Sequence, residues 1–359
     1  MNEYIQLIID WIEENLKNEF SLEGLASYMG YSPYYCSFKF HQATGISIRR
    51  YILLRRLYLS TEDLANNNRK IIDIAFDYSY SSQEAYSRAF KTVFGVSPRE
   101  FQLNQMPVQS FAKLTIHQGE DGCRMNISRE TEVEQLKNRK RELFDRDVLN
   151  ILNGQVMYEE FKNKKLMGDS DYVPFNEAMC VNATTTSIFD YAFIQMRASE
   201  HNESVENYSN KVIKPLNNLF KKNYNYIVLW FGEDMFCQMN LLTILAYLEQ
   251  SQYKGKVFFN SFREDEFKVS QTELTLGSYY SVYEEVLVNH MKPTNELLPV
   301  MYQAIELFLE MQTENNAVIK YISKNKHLPT SELLKRLFEV FPTVGYGDSQ
   351  YIELIDKTK

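Results

Sequence analysis

The chain is 359 residues long, 44% hydrophobic, and carries a formal net charge of -8. That length exceeds a single ordinary core and predicts two or three domains, and the composition excludes a disordered chain. No apolar run approaches the length that crosses a bilayer, and the four cysteines (Cys36, Cys123, Cys180 and Cys237) form no CxxC pair and have no nearby His, which excludes a disulfide frame or a zinc site.

The opening segment MNEYIQLIIDWIEEN is acidic and amphipathic rather than basic then apolar, so export is not expected and a cytoplasmic location is. Ile5, Ile8, Ile9, Ile12 and Leu16 recur at helical spacing and predict a first helix with one apolar face. Ser21 is a good N-cap for the next helix. From Ser21 to Phe101 the chain then says nearly the same thing twice. Leu22 answers Ile71, Leu25 answers Ile74, Ala26 answers Ala75 and Tyr31 answers Tyr80. After a one-residue insertion in the second copy, Ser37 answers Ser87, Phe40 answers Phe90, Gly45 answers Gly95 and Ser47 answers Ser97. Each copy reads as a short helix, a tight turn and a longer helix, the helix-turn-helix pattern. Ser47 starts a connecting helix with Tyr51, Leu54, Leu57, Tyr58 and Leu64 on its apolar side, ended by the asparagines at 66–68. Ser97 and Pro98 start a last helix in the favoured N-cap and proline order.

These residues resemble the AraC/XylS class of bacterial transcription regulators. The second copy carries most of the likeness through Ile72, Asp73, Ile74, Ala75, Ser81, Ser87, Arg88, Phe90, Lys91, Gly95, Val96, Ser97 and Pro98. The first contributes Leu25, Ala26, Tyr31, Ser32, Phe40, Thr44 and Gly45. The resemblance implies an all-α domain over 1–105 with two helix-turn-helix units, binding double-stranded promoter DNA. In the second unit it places Gln83, Glu84, Ser87 and Arg88 at the DNA, with Lys91 facing the same way. In the first, the matching surface is Tyr34, Tyr35, Ser37, Phe38 and Lys39. Two positions depart from the pattern. Phe38 stands where an Arg is usual, which puts guanine readout by that helix in doubt, although Tyr34 and Phe38 can touch thymine methyls. Ser79 stands where Gly30 lies in the first copy, so a turn of different construction is expected. The acidic whole-chain charge hides a locally basic stretch, with Lys39, Arg49, Arg50, Arg55, Arg56, Arg69, Lys70, Arg88, Lys91 and Arg99 against five acids.

Past Phe101 the pattern changes. KLTIH and CRMNIS suggest short strands, the charged run from Ser128 to Arg141 an exposed helix, and 106–145 together a linker. The span 146–295 predicts an α/β domain with a parallel sheet, from apolar runs around Leu166, at Tyr226–Phe231 and at Lys256–Phe259, separated by helical patterns. GDS and VLWFGEDMFCQMNLL loosely resemble an uncharacterised Rossmann-like family of bacterial domains, which brings no assigned chemistry. Ligands of such sheets sit beyond the C-terminal strand ends. The candidate ligand residues there are Asp169, Ser170, Asn176, Glu177, Glu233, Asp234, Gln238, Asn260 and Arg263; the alternative is that some merely cap helices. No cofactor, metal or catalytic constellation is expected. The tail, 296–359, reads as mainly helical and closes on VGYGDSQYIELI as a turn and an edge strand. The expected function is sequence-specific transcription regulation with a C-terminal half that senses a small effector or mediates assembly. RNA polymerase and a second copy are further candidate partners. The rival is an enzyme of unknown reaction that carries a DNA-targeting module.

Overall fold

A computed structural model describes residues 2–66, 69–114, 132–262 and 269–358. Cys123, Arg263 and the CRMNIS segment lie outside the described residues. Among those described, 2–114, 315–342 and 346–358 form one compact unit, and 132–314 with 343–345 form the other. No described helix is long and apolar enough to cross a membrane.

In the first unit, α1 (Asn2–Glu14) buries Ile5, Ile8, Ile9 and Ile12. α2 (Leu22–Met29) is capped by the Ser21 side chain, and α3 (Pro33–Thr44) by that of Ser32. α4 (Ile48–Ala65) leads to α5 (Ile71–Asp77), α6 (Gln83–Phe94) and α7 (Pro98–Asn104), the last with a full Ser97–Glu100 capping box. The local reason for the repeat is its punctuation: a serine accepts from the backbone at each longer helix start, and a glycine in the left-handed region ends it. Ser79 departs from that punctuation without changing the turn. Its φ of 59° matches the 70° of Gly30. Ser79 N donates to Phe76 O (2.9 Å) and Tyr80 N to Ala75 O (3.0 Å), as Gly30 N does to Ser27 O and Tyr31 N to Ala26 O. The expected difference in construction is therefore corrected. The Ser79 hydroxyl donates to Lys17 O at 2.8 Å, which offsets part of the cost of a Cβ at positive φ.

Two hydrophobic cores share α4. Ile48, Tyr51 and Ile52 pack with α1–α3, whereas Leu54, Leu57, Tyr58 and Leu64 pack with α5–α7. Residues 106–114, within the span read as a linker, lie across both: Val108 is buried in the second core, Met106 and Phe111 pack on it, and Leu114 packs on the first. Helices α16 (Ala317–Lys324), α17 (Thr330–Val340) and α18 (Asp348–Thr358) complete this unit. The tail boundary at 296 thus divides the chain differently from its packing. The edge strand expected near Tyr351 is α18 instead, because Tyr351 and Ile355 fall one turn apart on a buried stripe and Glu353 pairs with Lys357 at i,i+4. α17 packs against α3, with the buried Val340 lying over Gly45.

The second unit is built on a five-stranded sheet in the order β2-β1-β3-β4-β5. β1 (Val148–Asn153), β2 (Asp171–Phe175), β3 (Tyr226–Phe231) and β4 (Lys256–Phe262) are parallel, and β5 (Val269–Leu274) is antiparallel to β4. The sheet is therefore mixed, not all-parallel. The strand expected around Leu166 is a turn after the helix Gln155–Lys164; the strands of that region are β1 and β2. One face carries Val148, Leu152, Val228, Trp230 and Phe258 against Phe161, Leu143 and the helix over 132–139. A long helix, Met235–Gln250, follows β3 and is buried on most of its surface. The helix Pro299–Met311 packs beside it.

Gly45 and Gly30 give a matched test of the α17 contact. A Cβ on Gly45 would lie 2.3 Å from Val340 Cγ1, whereas one on Gly30 meets nothing within 4 Å, at nearly equal φ (73° and 70°). Gly30→Ala should cost about 1–2 kcal/mol for the backbone alone. Gly45→Ala should cost about 1–3 kcal/mol more from overpacking. Urea unfolding followed at Trp11 measures both, and equal losses would remove the α17 packing from the account.

Candidate nucleic-acid interface

The two longer helices of the repeat present very different surfaces. On α6, Gln83, Glu84, Arg88 and Lys91 are exposed and Ser87 is half-buried, while Tyr86, Phe90, Val93 and Phe94 face the core. Ala85 and Ala89 are only partly buried, and the Tyr86 hydroxyl lies 2.8 Å from that of Ser60. Glu84 is held below the usual carboxylate range by hydrogen bonds to its own backbone N–H and to Ser82, helped by Arg88. α6 thus offers donors and acceptors along one exposed edge. On α3, Cys36 and Phe40 are buried, and Tyr34, Tyr35 and Phe38 are 79%, 38% and 49% exposed. Ser37 and Lys39 are half-buried. The Phe38 ring is a surface group and stacks on Tyr34, with centroids 6.1 Å apart. Tyr35 stacks on Tyr31 at 4.9 Å, and Tyr4 meets both edge-on. The Lys39 ammonium lies 5.8 Å from the Tyr35 and Phe38 ring centroids and donates to Gln42 Oε1 at 3.1 Å.

Of the candidate ligand residues, the sheet brings together only some. Asp169 and Ser170 precede β2 and so lie at the N-terminal edge of the sheet, not beyond its C-terminal ends; this corrects their placement. Ser170 is buried and accepts from Asn150 Nδ2 at 2.8 Å. Asn176 and Glu177 follow β2, Glu233 and Asp234 follow β3, and Asn260 sits within β4 near its end. Asp234 caps the following helix, accepting from Cys237 N at 2.8 Å, so the capping alternative holds for it. Gln238 Nε2 donates to Gly232 O at 2.6 Å across the same turn. Residues 343–345 lie against this turn: Met235 N donates to Thr343 O at 2.9 Å and Phe236 N to Val344 O at 3.2 Å.

Glu177 is the centre of a buried ionic cluster. Arg197 Nη2 and His201 Nε2 each lie 2.8 Å from Glu177 Oε1, and the Tyr208 hydroxyl donates to Oε2. Arg197 also donates to the carbonyls of Val181 (2.9 Å), Ala183 (3.0 Å) and Ala178 (3.0 Å). A proton on His201 Nε2 suits the carboxylate contact. Burial pushes the Glu177 carboxyl up, but the His201 hydrogen bond and the Arg197 charge outweigh it and hold it well below the usual range. Burial and the Glu177 charge push the Tyr208 phenol far up.

A model of a helix-turn-helix domain family matches residues 25–104. The HTH-type transcriptional activator AarP of Providencia stuartii is 34% identical over 28% of this chain and 74% of its own length. The multiple antibiotic resistance protein MarA of Salmonella typhimurium is 33% identical over 32% of this chain and 91% of its own. The chain belongs to the AraC/XylS family. Among solved structures, an AraC-type transcriptional regulator from Chromobacterium violaceum is similar at 24% identity, with a TM-score of 0.27, over 28% of this chain and 90% of that one.

In this AraC/XylS regulator several basic residues of the DNA-binding unit are committed internally. Arg55 pairs with Glu13, Arg56 donates to the carbonyls of Leu16 (2.7 Å) and Asn18 (2.6 Å), and Arg69 pairs with Asp63 and Asp77. The exposed cations include Arg49, Lys70, Arg88, Lys91 and Arg99. The residues that sequence reasoning missed are Arg197, His201 and Tyr208. The signal was present for the first two, an Arg and a His at i,i+4 in YAFIQMRASEH, but nothing local links them to Glu177.

The depressed Glu177 carboxyl sets a pH dependence. Its stabilisation is complete above the ordinary carboxylate pKa and is lost as pH falls through the lower folded value. Glu177→Gln should flatten the acid limb of second-unit stability below about pH 4.5. At neutral pH it should cost about 3–5 kcal/mol by leaving Arg197 buried without a counter-charge. Unfolding read at Trp230 in a Trp11→Phe background checks both; parallel pH profiles for variant and parent would sink the assignment.

Proposed function

We propose that this AraC/XylS regulator binds an asymmetric promoter site with α3 and α6 in successive major grooves and activates transcription from it. The observation that carries the reading is the pair of serine-capped helices, each with an exposed outer edge, fixed on one shared helix, α4. Helix-turn-helix units read bases through the exposed residues of the second helix. Activation rests on the likeness to AarP, which is named an activator. RNA polymerase is then the partner of the bound protein, and the cytoplasm its place of work. Because the edges of α3 and α6 differ in chemistry, one chain covers two unlike half-sites and no palindrome is required.

The second unit is proposed to sense a small ligand or to mediate assembly, including self-association. Its support is a set of buried polar atoms without a hydrogen-bond partner among the described residues, Asn176 Oδ1, Gln238 Oε1 and Asn260 Nδ2. Unsatisfied buried groups of this kind are costly and mark sites where water or a ligand completes the pairing.

Arg88 is the residue on which the DNA reading turns. If its guanidinium pairs with a guanine edge, Arg88→Ala should weaken binding by about 1–3 kcal/mol and relax preference at one position of the site. Titration against a panel of single-base variants measures this. Unchanged affinity across the whole panel would take Arg88 off the reading surface.

A further inference from the structure

The outer edge of α3 is an aromatic ridge, and its chemistry limits what it can recognise. Tyr34 and Phe38, one turn apart, stack with an interplanar angle of 11° and stand 79% and 49% exposed. Behind them Tyr31, Tyr35 and Tyr4 form a second set of ring contacts that fixes the ridge from the helix start. The cation on this edge, Lys39, is drawn over the Tyr35 and Phe38 rings and bonded to Gln42. No guanidinium stands on the edge, so the fork that reads guanine bidentately is missing from α3. The major groove displays donors, acceptors and a single apolar group, the C5-methyl of thymine. The face of an exposed ring placed in that groove gains by burying apolar surface against that methyl, whereas against a polar base edge it strips water and only the Tyr34 hydroxyl can replace a hydrogen bond.

We infer that α3 selects thymine through the C5-methyl, using Tyr34 and Phe38 as the specificity-determining surface, while α6 reads polar base edges. This rests on the DNA-binding reading given above and adds the identity of the base feature. The site is then chemically divided: one half depends on methyl groups and the other on hydrogen bonds. Ser37, between the two rings in sequence, is half-buried and contributes a hydroxyl at most, so it does not restore guanine readout.

Replacing thymine with deoxyuridine removes the methyl and leaves every hydrogen-bonding group in place. The 359-residue chain is titrated with duplexes of a selected site in which single thymines are replaced by deoxyuridine, one at a time. The α6 half is identified as the half whose base preference relaxes in Arg88→Ala. Each critical replacement in the α3 half should weaken binding about fourfold, the value of one buried methyl group, and replacements in the α6 half should be flat. Tyr34→Ala and Phe38→Ala should lose the distinction between thymine and uracil while keeping the preferences of the α6 half. Tyr34 is so exposed that its truncation leaves the core intact, which keeps the test open if the Phe38 variant is unstable. Specific binding that is indifferent to uracil throughout the α3 half would overturn the inference and make the ridge a protein-contact surface. Failure to bind any duplex with sequence preference would instead overturn the DNA reading itself, and this inference with it.

Discussion

Arg55 stands at the middle of α4, where the first core gives way to the second, and its buried guanidinium holds that junction. Its Nε donates to Glu13 Oε1 at 2.8 Å and its Nη2 to Glu13 Oε2 at 2.7 Å, a fork-to-fork pair, while Nη1 donates to the Phe111 carbonyl. The Tyr51 hydroxyl completes the carboxylate at 2.6 Å and receives the Leu114 N–H in turn. Desolvating two charges is expensive, and only a fully satisfied geometry such as this recovers the cost. What the arrangement supplies is position. α1, the middle of α4 and the strap over 106–114 are locked to one another, so the two helix-turn-helix units cannot rotate independently about α4. Under the proposed reading, which sets two helices into grooves about 34 Å apart, that rigidity matters more than the pair's net energy.

The internal use of cations adds to the consequence of a net charge of -8. Arg55, Arg56 and Arg69 hold the fold, which leaves a short list of exposed cations to meet phosphate. Phosphate neutralisation is the part of binding that ignores sequence and collapses with salt. A protein that spends its arginines internally relies more heavily on what its helix edges do with bases. The contrast between a polar α6 edge and an apolar α3 edge therefore bears on discrimination as well as affinity.

The repeat was legible because its signals are local. Ser32, Ser47, Ser82 and Ser97 cap the helices that follow them, and Gly45 and Gly95 end the helices before them. Ser79 misled because a glycine preference is a statement about cost, and a hydrogen bond to Lys17 O meets part of it. β1 was overlooked for a related reason. Asn150 interrupts VLNILN, and only the fold reveals that Ser170 and Trp230 satisfy it. α18 reads as alternating, since YIELI fits a strand as well as a helix until the packing of Tyr351 with Ile355 decides. The ionic cluster was half visible: Glu177 was singled out, yet Arg197, His201 and Tyr208 reach it from 20, 24 and 31 residues away. Periodicity says which face of a helix is apolar, but it does not say what will cover that face. Hence the grouping of α16–α18 with the N-terminal helices had no sequence signature at all.

That grouping has a consequence in time. Translation releases α1–α7 early, and at about 5–20 residues per second the ribosome needs many further seconds to reach α17. Until then the C-terminal end of α3, where Gly45 meets Val340 in the finished unit, has no cover. α3 thus acquires this packing partner only after the whole second unit has been made. A nascent chain with both helix-turn-helix units already extruded is still an unfinished reader, and its completion reports that the intervening unit has been synthesised.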